Sequence, residues 1–512
     1  MLLLAAVGSV FTCCVAEVPV VEISSGLVSG KRILVRDELV DAFYGIPYAE
    51  PPVGELRFRR PRPVSPWTGV RNATKKPIPC SQLDLRFLKG ITLHYNGSSE
   101  DCLYLNIWRP AIPRSKERRR DAKLPVIVFV HGGAFQWGDS ALPIYDMQKF
   151  VSRSDVIFVT FNYRLGVFGF LATRTTDAPG NYGLWDQHML LTWVRENIGS
   201  FGGDAKDVTL VGQSAGGISV GFHAVSPHSR GLFKRAVMQS GTPFSSILWR
   251  GQSAVGKMRS IARPLGCYDS EKSVDVVACL RKLDAKAILS AVEKQGPAGQ
   301  LFFPVIGDSF MPADPQAAAT WAGMDIESLL LGTTPNEGTL FVDSLLYSSP
   351  KLDAVFEHDY RLAVMAFMAT TLGIPIKDAR KIVARYYGDY DVEHDKEAAY
   401  AIFARVISDG VFHCPTHFFA SIASNTGVPT FRYVFDHRAS FSFWPESFGV
   451  THADDIFFFY GTAGLSNEEG EHTNSVLDED GMKRLAGISF SEEEEGFAEE
   501  LIDSLYEFTK SG

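Results

Sequence analysis

A chain of 512 residues, 46% hydrophobic and 21% charged, has apolar side chains enough for a large core and the charge content of an ordinary globular protein. Its formal net charge of −9 argues against nucleic acid as a partner, because phosphates attract basic surfaces. No internal segment is long and apolar enough to read as a transmembrane helix.

The first residues, MLLLAAVGSVFTCCVA, are apolar and uncharged, and Glu17 follows them. This pattern predicts a signal peptide over residues 1–16, although no Lys or Arg precedes its apolar run. Two sequons, Asn72-Ala73-Thr74 and Asn96-Gly97-Ser98, agree with passage through the secretory route and a secreted or extracellular destination. Cleavage would remove Cys13 and Cys14. Of the remaining cysteines, Cys80 with Cys102 and Cys267 with Cys279 are spaced to close short loops as disulfides, and Cys414 is left over. The chain-entropy account gives each such loop roughly 3 kcal/mol.

Arg114 to Lys123, RSKERRRDAK, reads as a solvated loop on an acidic protein. Beyond it, short apolar runs alternate with helical patterns. PVIVFV (Pro125–Val130) and VIFVTF (Val156–Phe161) read as buried strands, and Leu184–Ile198 has helical spacing. Val208–Val211 reads as a strand followed by a helix, and Arg235–Met238, Leu329–Gly332 and Thr430–Phe435 read as later strands. Such alternation predicts an α/β fold with a large, mostly parallel central sheet and helices on both faces. Ser491 and Glu494 form a capping box and predict a helix start.

One turn raises a chemical question. In VTLVGQSAGGIS (Val208–Ser219) two glycines flank Ser214 between the strand and the helix. A tight strand-to-helix turn can hold a serine hydroxyl strained and exposed for attack. Such a nucleophile needs a base, an acid and donors for the oxyanion. In the chain order serine, acid, histidine, the downstream candidates for the base are His413, His417, His437, His452 and His472. His452, in GVTHADDIFFFYG, lies in a loop ahead of an apolar run. Glu337, in GTTPNEGT just after the LLLG strand, sits at a strand's carboxyl end, where open α/β sheets place ligands. HGGAF (His131–Phe135) follows the VIVFV strand and matches an HGGG-type oxyanion loop, with Ala134 in place of the third glycine. Its donors would be the amides of Gly133 and Ala134, with Ala215 after the serine, and one such donor is worth roughly 100- to 1000-fold in rate.

Longer segments carry a resemblance. YGIPYAEPPVGELRF (Tyr44–Phe58), EDCLYLNIW (Glu100–Trp108), NYRLGVFGFL (Asn162–Leu171), GNYGLWDQ (Gly180–Gln187) and FFPVIGDSFMP (Phe302–Pro312) stand in the order seen in type-B carboxylesterases. From about Val18 onward the chain resembles that family, which includes cholinesterases and juvenile hormone esterases. The resemblance implies an α/β-hydrolase fold in one domain over residues 17–512, with Ser214, Glu337 and His452 as nucleophile, acid and base. It supports the two disulfides and implies structural ion pairs Arg57–Glu100 and Arg164–Asp186. It implies a small-molecule ester as substrate, with neither cofactor nor metal.

The departures also carry information. Cholinesterases place a choline-binding tryptophan between the first two disulfide cysteines, and Ser81–Asp101 contains none. Gln213 replaces the glutamate common before the nucleophile in that branch. Both changes point to uncharged, fairly apolar esters. Gln213 and the Gly449-x-x-His452-x-x-Asp455 pattern resemble juvenile hormone esterases, and Ser240 and Asp455 are expected as supporting partners of the triad. The alternatives are a juvenile hormone esterase-like enzyme, a detoxification protein that sequesters esters, and a cholinesterase-like adhesion protein. The last typically loses the nucleophile that this chain retains. YEFTKSG at the end resembles a family segment after which members continue, so the expectation is a truncated chain whose C-terminal extension could carry an anchor.

Overall fold

The structure is a computed structural model and describes residues 18–512 except 89–90, 113–122, 174, 246–251, 269–274, 297–299, 371, 389–394, 465–474 and 478–487. The expected signal peptide, most of the basic run at 114–123 and His472 lie outside the described residues.

Nine strands build the central sheet: β1 (Lys31–Val35), β2 (Glu38–Pro47), β3 (Tyr104–Pro110), β4 (Leu124–Val130), β5 (Ile157–Phe161), β6 (Gly203–Gln213), β7 (Arg235–Gln239), β8 (Ser328–Thr333) and β9 (Thr430–Val434). Across the sheet they run β9-β8-β7-β6-β4-β5-β3-β2-β1. The pairings from β9 through β6 and β4 to β5 are parallel, and β3, β2 and β1 extend the sheet in antiparallel fashion.

The reason β4 reads as an unbroken apolar run is visible in its two neighbourhoods. Every residue of LPVIVFV is buried. Val126, Val128 and Val130 enter one core, together with Leu184, Leu190 and Val194 of α1 (Tyr182–Asn197) and Ile218 and Phe222 of α2 (Ala215–Val225). Ile127 and Phe129 enter the opposite core, with Ile502 and Leu505 of the C-terminal helix Glu492–Ser511. A strand covered on both faces has no solvent side and therefore no polar alternation. The expected fold class, a mostly parallel sheet with helices on both faces, is the one observed.

Several element boundaries differ from the sequence reading. Strand β6 begins at Gly203, before the apolar stretch, and its pairing with β4 shifts register between Gly203 and Val208. Asp204, Lys206 and Asp207 interrupt the hydrophobic signal there. Helix α1 ends at Asn197 and continues as a 3-10 turn, Ile198–Phe201. The capping box at Ser491 and Glu494 is present.

Disulfides join Cys80 to Cys102 and Cys267 to Cys279, and Cys414 is free and exposed. Arg57 pairs with Glu100 through two hydrogen bonds of 2.6 and 2.5 Å, and Arg164 grips Asp186 at 2.7 and 2.6 Å. Among the described residues no helix is long and apolar enough to cross a membrane.

Candidate active site

The site collects at the ends of β4, β6 and β8, where parallel strands hand over to loops and helices. At the end of β6 the backbone of Ser214 takes φ 56° and ψ −122°. That region is costly for a residue with a Cβ, on the order of 1–3 kcal/mol, and it persists only where surroundings enforce it. Here the Ser214 N–H donates to the Gln239 carbonyl at 2.7 Å, and the Ser214 carbonyl accepts from Ile218 at 2.9 Å. The flanking glycines are needed for close approach. A Cβ on Gly212 would lie 2.4 Å from the Gly216 backbone, and one on Gly216 would lie 1.9 Å from the Val130 carbonyl oxygen. Ser214 is the partly exposed residue in an otherwise buried turn.

The loop after β4 is similarly forced. Gly133, Ala134 and Phe135 all have positive φ, at 108°, 53° and 64°. The Gly133 carbonyl accepts the N–H groups of Gln136 and Trp137, both at 2.9 Å, which folds the loop back on itself. Gly133 and Ala134 remain partly exposed, while Ala215 is buried at the first turn of α2, where the helix dipole favours negative charge. His131 just before them is a packing residue. It stacks on Tyr163 at 4.5 Å, and burial pushes its imidazole down to about 4.

Glu337 is fully buried after β8, at the start of α3 (Gly338–Ser348). One carboxylate oxygen accepts from the Ser240 hydroxyl at 2.6 Å and the Thr334 N–H at 2.8 Å. The other lies 2.6 Å from His452 Nδ1. The two loops are laced together: Asn336 N–H donates to the Val450 carbonyl, and Asn336 Oδ1 accepts from the Val450 N–H. A Cβ on Gly449 would lie 2.3 Å from that Oδ1, so the loop closes only on glycine. The imidazole of His452 packs between Phe341 and Phe412, each 4.9 Å from it, and its Nε2 accepts from the Gln213 amide at 3.1 Å.

Of the described candidate histidines, the structure brings His452 to Glu337. His413 donates to the Thr334 carbonyl and pairs with Asp409. His437 meets Glu494, and His417 meets Arg432. Ser240 touches Glu337 directly, whereas Asp455 reaches Ser214 through an intermediary. Its carboxylate accepts from Tyr433 at 2.8 Å and from the Gln239 side chain at 3.2 Å, and Gln239 is the residue whose carbonyl holds Ser214. Burial, offset in part by Tyr433, raises Asp455 to about 6, and burial raises its neighbour Asp454 to about 7.

Sequence reasoning did not single out Gln239, Asn336, Phe341 or Phe412. Gln239 and Asn336 act through both backbone and side-chain contacts to residues distant in the chain, which carry no spacing signal. Phe412 lies in a π-helical turn, Ser408–His413, a form common at functional sites. Beside the Gly133 loop, a small cleft is lined by Leu83, Trp137, Leu165, Val167, Leu289 and Val292, with neutral amides among its other walls and no charged side chain among the described residues. Among the described residues there is no cluster of three or more His, Cys, Asp or Glu arranged to hold a metal ion.

The arrangement can do nucleophilic chemistry: a strained hydroxyl, an imidazole anchored at Nδ1 by a buried carboxylate, and a turn rich in backbone amides. Comparison with known proteins agrees with this chemistry. The profile of the carboxylesterase family matches residues 17–512. An acetylcholinesterase of Leptinotarsa decemlineata is 34% identical over 482 residues, covering 86% of this chain and 74% of the relative. An acetylcholinesterase of Bungarus fasciatus is 35% identical over 470 residues, covering 88% and 75% respectively. An acetylcholinesterase-1 of Trittame loki is 33% identical over 460 residues, covering 86% and 81%.

Proposed function

The chain belongs to the carboxylesterase family and is a carboxylic ester hydrolase, and from that premise we propose that it cleaves uncharged, fairly apolar esters through an acyl-enzyme on Ser214. The observation that carries the assignment is the buried contact of 2.6 Å between Glu337 and His452 Nδ1. It leaves Nε2 as the base. The Ser214 Oγ–H bond breaks, its proton goes to Nε2, and Oγ forms a bond to the ester carbonyl carbon. The carbonyl oxygen takes the displaced electron pair and is held by the amides of Gly133, Ala134 and Ala215. His452 returns the proton to the departing alkoxide as the tetrahedral intermediate collapses. Water then repeats the sequence on the acyl-enzyme and frees the acid. Ser240 and Thr334 keep Glu337 in place, so the carboxylate orients the imidazole and offsets its positive charge.

Substrate charge is read from the neutral Gln213 beside Ser214 and, as secondary support, from a small cleft next to Gln136 and Trp137 that has no charged side chain among its described lining residues. A permanent cation needs an aromatic face or an anion to offset its lost hydration, and one desolvated cation–π contact is worth about 2 kcal/mol, roughly thirtyfold. A second reading, a choline ester, draws on the printed names of the relatives and on Trp137 in the cleft. The two separate on kcat/KM for a choline ester and its neutral 3,3-dimethylbutyl isostere at low ionic strength. The neutral ester is expected to win. A tenfold advantage for the choline ester would establish the second reading, and Trp137→Ala would then be expected to abolish it. A methyl ester of juvenile hormone type belongs in the same panel. Two disulfides, with Asn72 and Asn96 both exposed, support passage through the secretory route and glycosylation there.

A further inference from the structure

His452 Nε2 has one lone pair, and the structure gives it to Gln213. The Gln213 amide nitrogen lies 3.1 Å from Nε2, and both side chains are buried, at 3% and 6% exposure. Chemistry fixes the orientation. Nδ1 faces an ionised carboxylate at 2.6 Å and must carry the ring proton, so Nε2 is an acceptor and the amide presents its NH2 end. The amide's other end is equally confined. A Cβ on Gly132 would stand 2.5 Å from Gln213 Oε1, so the absence of a side chain there makes room for the amide. Gln213 thus spans from the base to the strand end that opens the Gly133 loop.

We infer that Gln213 is a positioning residue that competes with the Ser214 hydroxyl for His452 Nε2, holds the resting base neutral, and must release it before Ser214 can be deprotonated. This rests on the proposed role of His452 as base. A neutral imidazole has complementary partners at both nitrogens here. Once Nε2 takes the serine proton it becomes a donor and faces another donor, the amide NH2. The pair is relieved when the amide withdraws or turns Oε1 toward the ring. Gln213 therefore opposes the imidazolium in its resting orientation, and a carboxylate in its place would favour it. The other groups around the ring are Glu337 on the acid loop, Asp454 and Asp455 on the following helix, and the uncharged rings of Phe341 and Phe412. His413 donates through Nε2 to the Thr334 carbonyl and meets Asp409 through Nδ1.

The test is the pH dependence of kcat/KM for a neutral ester in the parent, Gln213→Glu and Gln213→Asn. Glutamate places an anion at Nε2, and the acid limb of the profile is expected to move up by roughly one to three pH units, the shift an adjacent opposite charge gives a titrating group. Asparagine keeps a neutral amide one carbon short of the ring. It loses the bond to the neutral imidazole and moves the limb the same way by less. Proton NMR of the His452 Nδ1–H against Glu337 follows the same transition without substrate, so a variant of low activity still reports. Profiles and NMR transitions that superimpose on the parent in both variants overturn the inference. Should an organophosphate fail to label Ser214 in the parent, the proposed triad itself fails, and the two failures are distinct.

Discussion

Ser240 bears on the acid through one hydroxyl, which donates to Glu337 Oε1 at 2.6 Å beside a single backbone donor, Thr334 N–H. A hydrogen bond to a buried charge is worth about 1.5–3 kcal/mol. Ser240→Ala is therefore expected to lower kcat by roughly tenfold, about 1.4 kcal/mol, with KM little changed. Steady-state kinetics on a neutral ester check this, and an unaltered kcat would show that Thr334 suffices. Single residues were unequally legible in the sequence. Ser214 and the HGGAF loop announce themselves because their backbone demands glycine at fixed spacing. The proposed base did not, since Glu337 and His452 are 115 residues apart and spacing left five histidines open. The resemblance to a family, not periodicity, selected His452, and the structure then set it against the carboxylate. The support from Gln239 and Asn336 runs to residues far away in the chain, through backbone and side-chain atoms alike, and has no spacing signature.

The strand-to-helix turn at the end of β6 is the element on which the proposed chemistry rests. Gly216 sits in the first turn of α2 with its Cα against β4, so an added methyl would meet the Val130 carbonyl at 1.9 Å. Neither strand nor helix can retreat, because the turn is held by Gln239 on one side and packed on the core on the other. Gly216→Ala is expected to destabilise the fold by about 1–3 kcal/mol or more and to remove activity with it. Urea unfolding measures the first and turnover the second; a parental midpoint would refute the close approach. At this scale the sequence revealed the buried strands well, since a sheet covered on both faces needs continuous apolar runs. It under-read β6, whose first half is polar, and it missed the π-helical turn at Ser408–His413 that presents Phe412 to His452.

For the whole molecule, the same burial that shapes the site couples stability to pH. Asp454 is buried at the start of its helix, and burial raises its carboxyl from 3.8 to about 7. A carboxyl raised on folding binds its proton more tightly in the native state, so it lends stability below that window and withdraws it as pH rises from about 4 to about 7. In Asp454→Asn that withdrawal is gone. Trp444 Nε1–H donates to this carboxylate at 3.1 Å, and whatever the offset from altering that bond, the Tm of the variant relative to the parent is expected to climb between about pH 4 and 7; a difference flat in pH would contradict the assignment. The two cores on opposite faces of one sheet bring residues from β4, β6, β8 and the His452 loop to a common edge, and the proposed chemistry needs that convergence at Ser214. The direct measurement is mass spectrometry of the parent and Ser214→Ala after treatment with an organophosphate ester, read beside their turnover of a neutral ester. The parent is expected to carry one adduct, on the peptide holding Ser214, and the variant none, with kcat lower by several orders of magnitude, roughly a million-fold in a well-studied serine hydrolase. An adduct on another residue, or turnover surviving in Ser214→Ala, would contradict the central claim.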